Sequence, residues 1–300
     1  MSHLQLAGAR LALLALAAAS CGSPAPRASI APTSEQVRSA EIAGVFDAPV
    51  TLEHGVYEGP PAVEGGASQP RLELVPGLVA YGHLRGGAGE EAAAVLAASS
   101  GGSGETIYLS VIGIEKGAPR SLGTVEVGDR TQIRSFAVSG AEVVMDVVEA
   151  GPRDPVCCPT QLARKSYRFE SGALKLAQSV PVGTLSLALL AGREWSVVEI
   201  DGEPLAEPPQ HPSLAVAGDQ LSGFSGCNRY SATIRETSPG VIALGPIAAT
   251  QMACPEPEMQ LEARFVGSLE SAQRYAFPAG KLVLSGTKDG TAHSLTLRRD

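Results

Sequence analysis

Long apolar runs, basic charge, aromatic rings and cysteines are all scarce in this 300-residue sequence. After Cys21 no segment reaches the roughly twenty apolar residues of a membrane helix, so no later helix is expected to cross a bilayer. Lysine and arginine number 23 against 31 aspartates and glutamates, a net charge of -8. Nucleic acid and anionic lipid both demand clustered basic residues, so neither is an expected partner. Aromatics make up only 4% and Trp195 is the one tryptophan, whereas glycine (34) and proline (22) abound. That profile fits many turns joining short strands. A hydrophobic share of 44% is enough for a core, and the length suggests about two domains.

What is present begins with an address. Residues 1–20 hold Arg10 and the uncharged run LALLALAAAS, and Cys21 follows. A short apolar segment with a basic residue before it and small residues at its end is an export signal. Because it ends at a cysteine it resembles a bacterial lipoprotein signal, with Ala18 where the usual pattern prefers Leu. The resemblance implies cleavage before Cys21, a lipid on its thiol, and a membrane partner held through acyl chains. Removing Arg10 with the signal leaves 22 basic against 31 acidic residues, a net of -9. Gly22 in place of Asp resembles signals that permit transfer to the outer membrane. The expected location is its periplasmic face in a diderm cell, or the outer face of the cell membrane in a monoderm. Residues 21–39, rich in Pro, Ser and Ala, read as a tether, and a second seam is expected at residues 178–190.

Between these seams, residues 40–178 read as a β-rich domain. RLELV (71–75), TIYLSVIGI (106–114), TQIRSFAV (131–138) and AEVVMDVV (141–148) alternate apolar and polar residues with β-branched enrichment, the strand signal. GEEAAAVLAAS (89–99) suits a helix or a buried strand equally. The ordered series VTLEHGVYEG, AYGHLRGGAGEEAAAVL, GGSGETIYLSVI, GDRTQIRSF and DPVCCPTQ resembles a domain of bacterial envelope lipoproteins. The middle motif of that domain usually reads G-D-L-D-G-D-G-x-D-D-A-A-V, and no enzymatic activity comes with it. The usual form spaces acidic side chains as calcium loops do. Here His83, Arg85 and Gly87 stand in their places, so no calcium is expected, and Glu90 and Glu91 read as a solvated face.

From residue 188 to residue 300 the pattern changes. LLAGREWSVVEIDGEPL reads as a strand and turn, SLAVAGDQLSGFSGCNRYSATI as two more strands, and KLVLS and SLTLRR as closing strands. Leu261, Phe265 and Leu269 at i, i+4 and i+8 predict a helix, with Met259, Val266 and Ala272 widening its apolar side. Pro255 and Pro257 suit its first turn. W-x-V-x-x-I-D-G, S-G-x-S-G-C-N-R-Y-S-A and A-A-T-Q-M-A-C-P together resemble the META domain, the HslJ-like family, through Gly226, Cys227, Asn228, Met252, Ala253, Cys254 and Pro255. That resemblance implies secreted or membrane-anchored proteins connected with heat shock, motility or antibiotic tolerance, and no catalytic mechanism. The expected fold class is α+β, β-rich, in two domains, the C-terminal one an antiparallel sheet wrapped around one helix.

Because Cys227 and Cys254 belong to the two signature segments, the resemblance implies that they pair in an exported protein, with two reduced thiols in close contact as the alternative. Cys157 and Cys158 do not have the spacing of a thioredoxin-like centre. His54, His83, His211 and His293 are scattered, so structural zinc is not expected. A ring disulfide between neighbours, or two thiols packed in the core, remains open. GFSGC (223–227) begins like a nucleophile elbow but ends in Cys227. Ser225 therefore reads as a turn residue, with Asp289 and His293 as the only partners a hydrolase would offer. Asn228 suggests a side chain bonding backbone in a tight loop, or a ligand contact. No metal, cofactor or catalytic residue is expected. The expected function is a non-enzymatic envelope lipoprotein that binds or stabilises another envelope component in stress or antibiotic tolerance. A ligand- or peptide-binding sensor with a groove between the domains is the alternative, and a serine hydrolase a remote one.

Overall fold

The computed structural model describes residues 31–61, 66, 68–87, 89–101, 104–155, 157–206 and 211–299. The expected export signal and the expected lipid attachment at Cys21 lie outside the described residues. Three sheets follow one another along the chain. The first has seven strands: β1 (Glu41–Ile42), β2 (Val50–Thr51), β3 (Val56–Glu58), β4 (Arg71–Gly82), β5 (Glu91–Ser99), β6 (Thr106–Glu115) and β7 (Ala118–Asp129). Their order is β2-β1-β7-β6-β5-β4-β3, antiparallel except where β1 meets β7. The second is a four-stranded meander of β8 (Gln132–Ser139), β9 (Glu142–Glu149), β10 (Gln161–Glu170) and β11 (Ala173–Thr184).

These two sheets pack face to face. Ala93, Val95, Leu109 and Val111 of the first meet Val143, Met145, Val147 and Tyr167 of the second. The opposite face of the first sheet is covered as well: Ala92, Ala94, Leu96 and Ala98 pack with Val37, Ile42, Leu52 and Leu72. Strand β5 is therefore buried on both sides, which is why AAAVLAA carries no alternation. Its alanines leave room for two layers at once. Helix α1 (Ser34–Arg38) forms part of that cover. Thr33 Oγ1 accepts from Gln36 N at 3.2 Å and Gln36 Oε1 accepts from Thr33 N at 2.9 Å, a capping box that fixes the helix start. The expected tether over 21–39 thus needs correction at its end, because residues 33–38 fold and Val37 is buried.

The third sheet comprises β12 (Glu194–Ile200), β13 (Glu203–Pro204), β14 (Ser213–Ala217), β15 (Gln220–Phe224), β16 (Arg229–Ser238), β17 (Val241–Leu244), β18 (Ala248–Ala249), β19 (Ala272–Ala276), β20 (Leu282–Lys288) and β21 (Thr291–Arg299). The segment 213–234, read as two strands, contributes to three. Strand β12 pairs with both β14 and β21, so the sheet closes on itself like a barrel. Its strands contribute Val197, Leu214, Leu221, Ile234, Leu284, Leu295 and Leu297 to one core, which Phe265 and Leu269 also join.

This arrangement overturns the α+β expectation of a sheet wrapped around one helix. The molecule is dominated by strands, and helix α2 (Glu256–Glu270) is one of two α-helices among the described residues. It lies against β12, β20 and β21 of a sheet that is already closed. Closure follows from the long-range pairing of β12 with the chain's last strand, which local periodicity does not encode. Within α2, Phe265 and Leu269 are buried as their spacing predicts. Met259, expected on the same side, is 48% exposed, and Ala272 belongs to β19.

The two bodies meet along the second sheet. Strand β11 runs into the expected seam and ends at Thr184. Val148 and Leu162, opposite one another on β9 and β10, join the core that holds Trp195 and Leu190. Phe277 N donates to Gln132 Oε1 at 2.7 Å, and the Arg134 guanidinium lies 5.2 Å from the Phe277 ring centroid.

Candidate functional site

The signature residues of the C-terminal body converge on one turn, between β15 and β16. Gly226 there has φ +112, and a Cβ at this position would meet Leu261 at 3.2 Å and Glu262 N at 3.4 Å. Only glycine both adopts that conformation without strain and lets helix α2 approach the turn so closely. Cys227 and Cys254 form a disulfide with Cα atoms 5.9 Å apart, fastening the turn to the segment that opens α2.

Asn228 occupies the centre of this knot and is almost fully buried. Its Nδ2 donates to Glu262 Oε2 at 2.9 Å, while its Oδ1 accepts from Thr250 Oγ1 at 2.8 Å and Met252 N at 2.7 Å. Ser225 is wholly buried; its Oγ donates to Asn228 O at 2.7 Å and accepts from Asn228 N at 3.1 Å. The knot joins a turn, a loop and a helix, and these bonds occupy the polar atoms of Asn228 within the protein. A ligand contact at Asn228 has no free donor or acceptor to use in this arrangement.

The imagined hydrolase partners go elsewhere. Asp289 sits in the β20–β21 turn with φ +52. His293 Nδ1 lies 3.1 Å from Asp201 Oδ2, whereas Ser225 bonds within its own turn. Asp201 was missed by sequence reasoning, and the signal available was the I-D-G turn, where Asp201 takes φ +54. Its carboxylate accepts from Ser294 N at 2.8 Å and Ser268 Oγ at 3.2 Å. Burial works to raise its pKa, but the Ser294 N–H and then His293 and Ser268 outweigh this, and the net shift is downward.

Cys157 and Cys158 are joined as a ring disulfide in the β9–β10 loop. Cys157 is exposed and Cys158 partly so, so the pair is not packed in the core. Asp154 organises the loop by accepting from Gly151 N at 2.9 Å and Thr160 N at 2.6 Å. The Gly151 N–H is the largest cause holding its carboxyl below the usual range, burial opposes it, and Thr160 adds to it.

The calcium-like loop holds a different surprise. Glu91, expected on a solvated face, is buried. Its Oε2 accepts from Leu84 N at 2.9 Å, and its Oε1 accepts from Arg85 Nε at 3.0 Å. Arg85 also reaches within 3.6 Å of Glu115. The guanidinium stands where a cation would gather carboxylates. A second such clip lies between the packed sheets, where Lys165 Nζ is 2.6 Å from Glu149 and donates to Val127 O at 2.9 Å. Among the described residues no group of three His, Cys, Asp or Glu side chains is arranged to hold a metal ion, and no helix is long and apolar enough to cross a membrane.

Among solved structures, an NMR structure of a protein from Burkholderia xenovorans shares 25% identity, covers 37% of this chain and 84% of its own, and superposes with a TM-score of 0.30. A second NMR structure shares 21% identity over 38% of this chain and 94% of its own, with a TM-score of 0.32. No curated protein matches the chain. The segment that carries the Asn228 knot, residues 188–299, matches the family model of the META domain.

Proposed function

We propose that this protein is a non-enzymatic lipoprotein of the cell envelope, held to the membrane through Cys21. In this reading its META domain binds or stabilises another envelope component and so contributes to stress or antibiotic tolerance. The observation that carries the reading is the knot itself. Ser225, Cys227, Asn228, Cys254 and Glu262 spend their bonding capacity on one another. Residues so engaged support a rigid scaffold better than a reaction. Met252 and Met259, beside this scaffold, are 55% and 48% exposed, a flexible apolar surface of the kind that suits protein contact.

The test is crosslinking in intact cells at native expression, comparing wild type with Cys21→Ser. A reproducible crosslinked partner, lost in Cys21→Ser and in Met252→Glu, is the expected result. Its absence from wild-type cells, together with unchanged heat and antibiotic survival of a deletion strain, would sink the reading.

A further inference from the structure

The chain as a whole is acidic, yet three arginines converge where the two bodies meet. Arg134 on β8, Arg193 just before β12 and Arg299 at the end of β21 line a cavity of about 190 Å3, with Ser135, Asp146 and Phe277 beside them. Asp146 is the single carboxylate among the lining residues, and it is already committed. It accepts from Arg164 Nε at 2.7 Å and Nη2 at 3.1 Å, and from Ser135 Oγ at 3.0 Å. The Arg164 bond is the main cause holding its pKa below the usual carboxylate range. Asp146 is bonded to Arg164, and among the described residues no carboxylate forms an ion pair with any of the three lining guanidinium groups.

Two further observations point to a missing anion. Arg193 and Arg299 have no salt-bridge partner among the described residues, and the Nε of Arg134 is buried without a hydrogen-bond acceptor. A buried charged donor left unmade is costly, so an acceptor is expected there. The Phe277 ring holds the Arg134 guanidinium in place from one side. Burial lowers the Arg134 pKa; Asp146 opposes that and Arg193 adds to it. An anion between Arg134 and Arg193 would offset the burial of Arg134 and the repulsion between the two.

We propose that this cavity binds a small oxyanion of the phosphate class, either inorganic phosphate or a phosphomonoester group. Guanidinium forks match the oxygens of phosphate, and donors arriving from three elements suit a tetrahedral dianion better than a flat monocarboxylate. Arg134 comes from the second sheet and Arg193 and Arg299 from the C-terminal body, so the bound anion clamps the junction. The site stands apart from the partner-binding reading of the META domain and does not depend on it.

Calorimetric titration of the full-length lipidated protein in non-ionic detergent tests this, with sodium phosphate added at ionic strength held constant by sodium chloride. Saturable one-to-one binding is expected, weakened at least tenfold by Arg193→Gln and by Arg299→Gln. Both side chains are exposed, so these variants keep the fold even if Arg134→Gln does not. Arg235→Gln, an exposed arginine on β16 outside the lining set, should bind as wild type. Phosphate should also raise the thermal midpoint of wild type and of Arg235→Gln, but not of the two cavity variants. Short-chain phosphatidic acid in the same detergent identifies the source: displacement of phosphate by it assigns a lipid headgroup, and its failure to displace assigns a soluble ion. Heat that is unsaturable, reproduced by chloride alone, or unchanged in Arg193→Gln and Arg299→Gln overturns the proposal.

Discussion

In the C-terminal body a connected set of buried polar bonds forms around Asn228, and the Cys227–Cys254 disulfide ties that turn to the segment opening helix α2. In the N-terminal body the buried charges sit in separate clips, Arg85 with Glu91 and Lys165 with Glu149. The architectures explain the contrast. A closed sheet pairs its strands all round, so the groups left to satisfy belong to turns and to the helix laid across them. Two stacked sheets expose rims, and each charge that enters the sandwich is neutralised where it enters. One body is fastened by a disulfide and a connected hydrogen-bond network, the other by separate ion pairs.

The comparison breaks most sharply at Phe265. Its replacement by Ala empties a fully buried site against Tyr230 and is expected to cost about 4 kcal/mol. Hydrogen exchange should show the loss in β12–β21 and leave β4–β7 protected. The disulfides come next. Replacing Cys227 and Cys254 together by Ser opens a loop spanning 27 residues and should cost on the order of 3 kcal/mol in urea unfolding. The same change at Cys157 and Cys158 frees only a ring between neighbours and should cost under about 1 kcal/mol. Equal costs for the two pairs would show that the length of chain each disulfide closes does not set its contribution.

A third test concerns the Arg85 clip. Arg85→Met leaves Glu91 buried with no counterion and should destabilise the N-terminal body by about 2 kcal/mol. Adding Glu91→Gln should recover part of that loss, measured as a double-mutant cycle. The smallest effect is expected at Asp154. Its folded pKa lies below the ordinary 3.8, so its contribution is fully present above that pH and fades as pH falls through the lowered folded value. Asp154→Asn should remove this acid dependence and cost under about 1 kcal/mol at neutral pH, read from exchange of the Thr160 amide.

The features legible in the sequence were those with a short period. RLELV and the first residues of TIYLSVIGI, 106–109, alternate because there one side of the strand is more deeply buried than the other, and Leu261, Phe265 and Leu269 repeat as one face of a helix. Strand β5 was ambiguous for a physical reason, since burial on both faces erases the alternation that marks a strand. Closure of β12 onto β21 was not legible, because it joins residues about a hundred positions apart. The partners of Asn228 were hidden for the same reason: Glu262 is 34 residues away in sequence. The Asp201–His293 pair spans 92 residues, and the arginine cavity draws on both bodies. The Thr33–Gln36 capping box was readable in principle, but the surrounding Pro, Ser and Ala outweighed it.

Arg85 has one consequence for how the N-terminal body is held together. A loop that folds around a metal ion is only as stable as the supply of that ion, and it loosens when chelators or dilution remove it. The positive charge beside Glu91 is covalently part of the chain, so this ion pair is not lost by dilution.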